Sequence, residues 1–127
     1  MTSKNYLLIV AIVAVLYGLA FVLIPGPFTA LYGVPPEPHT ILAAQYFGSA
    51  LIGLGVIYWF AKDFADESAV RGVLMGTVAS TVIGGIIAIW GEISGAANPL
   101  GWTSVVVYAL LLLGALYCLL MGGAKKA

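Results

Sequence analysis

The chain has 127 residues, 62% of them hydrophobic and 8% charged, with zero formal net charge and a mean hydropathy of +1.09. Soluble domains carry about 25% charged residues and disordered chains are more polar still, so both classes are excluded. No basic tract is present that would hold nucleic acid, and the single cysteine, Cys118, rules out an internal disulfide.

Four apolar stretches, residues 5–24, 39–61, 69–90 and 102–121, are each about 20 residues long, enough for a helix to cross a ~30 Å hydrocarbon core. The first follows Lys4 but is too long for the apolar region of a signal peptide, and Phe28-Thr29-Ala30 makes a poor cleavage site, so a retained transmembrane helix is expected. Pro25-Gly26-Pro27 should end it. A short interfacial helix is predicted over residues 27–33, anchored by Phe28, Leu31 and Tyr32 and closed by Gly33 in a left-handed conformation. Prolines 35, 36 and 38 hold the next segment extended.

The second span begins near His39 or Thr40 and leaves through Tyr58-Trp59-Phe60, read as an inner aromatic belt. Asp66 or Ser68 caps the third helix, and Arg71 in its first turn can snorkel to headgroups. Asn98-Pro99 starts the fourth, with Trp90 and Trp102 forming the outer belt. Roughly 40 residues lie outside the spans, too few for an extramembrane domain. The expectation is an all-α, single-domain, antiparallel four-helix bundle integral to a membrane.

With four crossings, Lys4, Lys62, Arg71, Lys125 and Lys126 all fall on the side of the termini, and the two opposite loops carry none. A random distribution would give so clean a split in roughly one chain in sixteen, so the positive-inside rule places both termini in the cytoplasm.

Small residues mark where helices can meet. Gly72, Gly76, Ser80, Gly84 and Ala88 recur every four residues along the third span, a ridge that permits close backbone approach where lipid gives no hydrophobic drive. This ridge is the predicted helix-packing interface, shared in part with another subunit or a second copy. Leu74 lies on the opposite helix face in this reading, and Leu74→Ile should cost far less than Gly76→Leu or Gly84→Leu. Weaker ridges are Ala14 and Gly18 in the first span, Ala44 and Gly48 in the second, and Gly114, Cys118 and Gly122 in the fourth.

No Asp, Glu, Lys, Arg or His occupies the middle of a span, which argues against a proton-coupled transporter. Gln45 and Ser49, four apart on the second helix, suit an interhelical hydrogen bond or contact with a ligand's polar head. Thr77, Ser80 and Thr81 are expected to bond back to their own helix carbonyls. Glu92 ends the third helix, where the dipole disfavours a carboxylate. With His39 and Glu37 it could form a metal or acid–base group, but the spacing matches no compact motif. No catalytic residue, metal site or cofactor is assigned.

The stretch from Leu31-Tyr32-Gly33-Val34-Pro35 through Ala43 to Gly55, with Asn98 to Trp102 before the last helix, resembles small four-helix bacterial membrane proteins of the DoxX-like neighbourhood. It is more faintly similar to the ergosterol-biosynthesis scaffold family, which has a Tyr-Gly loop before an Ala-Arg-x-Phe-Gly second helix. Gln45 stands where those relatives carry arginine, so a role needing that charge does not transfer. The resemblance implies an accessory or scaffold protein of a bacterial inner membrane.

The expected function is therefore a non-catalytic subunit or scaffold of a larger membrane assembly, with lipid and other transmembrane subunits as partners. The alternative is a binder of a lipophilic small molecule (quinone, lipid or pigment) in a groove bordered by Tyr17, Phe21, Tyr46, Phe47 and Tyr108. A small transporter or channel is a third, weaker reading.

Overall fold

A computed structural model describes residues 2–121; Gly122, Lys125 and Lys126 lie outside the described residues. Every regular element is helical: α1 (Ser3–Leu23), α2 (Pro25–Leu31), α3 (Pro38–Ala61), α4 (Glu67–Ile93) and α5 (Trp102–Leu120), the last preceded by a 3-10 turn over Pro99–Gly101. The four long helices are each long and apolar enough to cross a membrane.

Local chemistry sets the boundaries. The Thr2 side chain accepts from Asn5 N–H and caps α1. That helix ends at Leu23, two residues before Pro25, whose missing N–H suits it to the first turn of α2. Gly33, at φ 77°, takes the left-handed conformation after α2. Of the two candidate caps on α4, Asp66 is the one used, its carboxylate accepting from Ser68 N–H at 3.0 Å. Asn98 caps the 3-10 turn by accepting from Leu100 N–H, while its amide donates to Leu31 O at 2.9 Å and its backbone N–H to Tyr32 O at 2.9 Å. One residue thus ties the loop after α2 to the start of α5.

The long helices associate as two pairs, α1 along α3 and α4 along α5, with fewer contacts between the pairs. The α1–α3 contact is the tightest. A Cβ built on Gly48 would stand 2.7 Å from Gly18 O and 2.8 Å from Phe21 Cβ, and one on Gly18 would stand 2.8 Å from Gly48 O. Further along, one on Gly55 would be 2.5 Å from Val15 Cγ2 and 3.1 Å from Ala11 O. The two helices therefore touch backbone to backbone, the geometry that small residues allow in membranes.

Two tyrosines join the pairs. Tyr6 of α1 lays its ring over Gly114 of α5 and donates to Leu111 O at 2.5 Å. Tyr58 of α3 meets Thr77 Oγ1 of α4 at 2.9 Å. Around them Leu7, Val10, Ala11, Ala61, Val70, Leu74, Ala115 and Cys118 form the buried core. Two expectations are corrected here. Tyr58 is buried and turned inward, so only Trp59 and Phe60 of that run are exposed as a belt. Leu74 is fully buried in the core, while Gly76 has open space beside it, so the expected order of cost between Leu74→Ile and Gly76→Leu does not hold.

The α2 helix docks on this frame through Phe28. Its ring packs edge-on against Phe21 at 4.8 Å, Tyr17 at 6.0 Å and Tyr32 at 5.8 Å, and Phe21 in turn meets Phe47 at 5.2 Å. Such pairs favour edge-to-face geometry. Leu31 remains exposed.

Candidate functional site: a cavity between the helix pairs

Because the two helix pairs meet fully only around Tyr6 and Tyr58, a half-enclosed cavity of about 160 Å³ remains between them, lined by all four long helices. An engineered apolar cavity of about 150 Å³ admits benzene, so this one has room for a single ring. Its aromatic wall consists of Tyr17, Phe21, Phe47 and Tyr108, and its aliphatic wall includes Val10, Leu51 and Leu111. The hydroxyl-bearing wall is Tyr58, Thr77, Ser80, Thr81 and Ser104.

Thr77, Ser80 and Thr81 do bond to carbonyls of their own helix. Thr77 Oγ1 donates to Val73 O at 2.9 Å, Thr81 Oγ1 to Thr77 O at 2.7 Å, and Ser80 Oγ to Thr77 O at 3.1 Å. These bonds let hydroxyls sit in a hydrocarbon environment at little cost. Sequence periodicity does not reveal that the same side chains face a cavity, because back-bonding explains their presence just as well. Ser104 goes unnoticed in sequence for a similar reason, although it shares a helical face with Tyr108 four residues on.

Four of the five aromatics expected to border a groove, Tyr17, Phe21, Phe47 and Tyr108, line the cavity; Tyr46 is 70% exposed and does not. Gln45 and Ser49 lie elsewhere. Gln45 Nε2 donates to Val22 O at 3.3 Å, a carbonyl in the last turn of α1 that has no partner within its own helix. Ser49 is exposed.

The ridge on α4 divides. Cβ atoms built on Gly72 and Gly76 would meet nothing within 4 Å, whereas one on Gly84 would strike the Tyr108 ring. Ser80 borders the cavity, and Ala88 is partly buried. Gly72 and Gly76 therefore make no close contact inside this chain.

At one end of the molecule Asp63 receives Lys62 Nζ at 2.7 Å and Lys4 Nζ at 3.2 Å, and Lys62 also stands 4.0 Å from the Trp59 ring centroid. The Lys62 and then the Lys4 ammonium hold the Asp63 carboxyl below its ordinary value. At the other end Glu92 Oε1 is buried without a hydrogen-bond partner and packs directly on Gly101. Gly101 ends the 3-10 turn and is the N-cap of α5, so the positive end of α5 offsets the negative end of α4. His39 is exposed in the first turn of α3. Among the described residues, His39, Glu37 and Glu92 form no group of three with metal-binding potential.

Compared with known proteins, the chain matches no family model, and no curated protein or solved structure is detectably similar to it.

Proposed function

We propose that this chain is a non-catalytic integral membrane protein whose cavity between the α1–α3 and α4–α5 pairs holds a lipophilic small molecule. The carrying observation is that cavity: about 160 Å³, open on one side, walled by four aromatics and edged by hydroxyls from three helices. Ligand sites are concave and mostly apolar with a few convergent polar groups, and this lining has that character. The absence of Asp, Glu, Lys, Arg and His from the middle of each span favours binding over proton-coupled transport or catalysis. In this reading the helices form an antiparallel bundle with both termini cytoplasmic, in a bacterial inner membrane, and the ligand enters from the bilayer.

The test is native mass spectrometry of protein extracted in mild detergent. One lipophilic molecule per chain is expected, and it should be lost from Val107→Phe, which fills the cavity from a partly buried position. Chains that never carry or take up a stoichiometric small molecule would refute the reading.

A second reading, a subunit or scaffold of a larger membrane assembly, is favoured by one observation. Gly72 and Gly76 form a small-residue face with nothing packed on it, beside the 59% exposed Met75. Co-purification in mild detergent tests it, and a lone monomer under all conditions would end it.

A further inference from the structure

On the α3 and α4 side of the cavity, at Tyr58, Thr77, Ser80 and Thr81, the hydroxyl protons are already committed, and this restricts the ligand. Thr77 has one hydroxyl proton, and it goes to Val73 O at 2.9 Å. In the 2.9 Å contact between Tyr58 Oη and Thr77 Oγ1, Tyr58 must then be the donor. Thr81 and Ser80 both donate to Thr77 O, at 2.7 and 3.1 Å. What faces the cavity at this level is a set of oxygen lone pairs. Tyr58 and Thr77 are 7% and 2% exposed, so neither can turn to water for a different arrangement.

We infer that the cavity selects a one-ring phenol or alcohol with an aliphatic tail, bound as a hydrogen-bond donor to Tyr58 Oη. This rests on the proposed ligand-binding reading and adds the polarity of the ligand's head. A ligand hydroxyl extends the chain Tyr58 to Thr77 to Val73 O by one bond and leaves the others intact. Hydrogen bonds in such chains strengthen one another. At Tyr58 a ligand carbonyl or ether can be served only if Thr77 gives up Val73 O and turns its proton to Tyr58, which costs as much as the new bond returns. The ring fits the volume of about 160 Å³ and the wall of Tyr17, Phe21, Phe47 and Tyr108, and the tail leaves through the open side into lipid. Ser104 and Tyr108 on α5, both only partly buried, can rotate their hydroxyls to donate or accept and do not discriminate.

The experiment compares 4-dodecylphenol with 4-dodecylanisole, its methyl ether, for binding to the full chain in detergent micelles. The two probes differ by the donor proton, and dividing their affinity ratio by that of Tyr58→Phe cancels unequal partition into the micelle. One hydrogen bond is worth about 1 kcal/mol, so wild type should favour the phenol about fivefold relative to Tyr58→Phe. Thr77→Val, which frees the Tyr58 proton, should flatten the preference while retaining the ring site. A normalised ratio of one, or one that favours the ether, overturns the inference but leaves a ligand site in place. Binding of neither probe overturns the ligand-binding reading itself. Should Tyr58→Phe fail to fold, a wild-type ratio unchanged in Thr77→Val overturns the inference equally well.

Discussion

The α1–α3 contact and the exposed face of α4 are built from the same kind of residue and behave in opposite ways. On α1 and α3, Ala14, Gly18, Ala44 and Gly48 are buried, and the backbones approach so closely that no Cβ fits at either glycine. On α4, the longer and more regular run from Gly72 to Ala88 begins with two glycines that touch nothing. A ridge of small residues licenses close approach, but contact needs a second ridge opposite it. The first and second spans supply matching ridges to each other. Within this chain α4 finds a bulky partner instead: Tyr108 of α5 fills the space over Gly84.

The largest effect that separates the two faces is Gly48→Ala. The added methyl would lie 2.7 Å from Gly18 O and 2.9 Å from Val22 Cγ2, and a backbone oxygen cannot move aside as the tip of a side chain can. We expect a loss of about 1–3 kcal/mol, read as a lower midpoint in thermal or denaturing-detergent unfolding. Wild-type stability for this variant would mean that α1 and α3 do not close on each other.

A smaller effect sharpens the comparison at the opposite end of α4. Gly101 is buried because Glu92 Oε1 occupies the space a side chain would take. Glu92 ends in a flexible carboxyl that can partly retreat, so Gly101→Ala should cost only about 1 kcal/mol, within the usual range for one point substitution. Glu92→Ala combined with Gly101→Ala should recover most of that loss. A double-mutant cycle in the same unfolding assay measures the coupling. Additive behaviour would show that the two residues do not share this space.

The order of these elements is legible in the chain because each boundary carries its own chemistry. Prolines 25 and 99 open helical turns, Gly33 takes the φ that other residues avoid, Asp66 caps α4 and Asn98 caps the 3-10 turn before α5. The cavity is far less legible. Its hydroxyls lie on three helices distant in sequence, and each one on α4 already has a partner within its own helix. Whether Tyr58 points to lipid or inward depends on how α3 rotates against α1, and the close contacts at Gly48 and Gly55 that accompany this rotation are made to residues of α1 far away in sequence. The aromatics are easier to read, since Tyr17 and Phe21 share one face of α1 at a four-residue spacing. The regular ridge on α4 misleads for a related reason, because periodicity within one helix says nothing about the surface it will meet.

The smallest effect is also the one with the opposite sign. A Cβ at position 76 meets nothing within 4 Å, so Gly76→Ala removes only the conformational penalty of glycine within a helix, up to ~1 kcal/mol. In the isolated chain this variant should unfold at a slightly higher midpoint than wild type, whereas Gly48→Ala unfolds at a lower one. Gly76→Leu should likewise leave the isolated chain folded, since its larger side chain also projects into free space. If a second transmembrane chain packs on this face in the native membrane, Gly76→Leu should weaken co-purification without lowering the stability of the chain alone. A drop in the isolated chain's midpoint for Gly76→Ala would put that glycine inside a close intramolecular contact, and the contrast between the two faces would be lost.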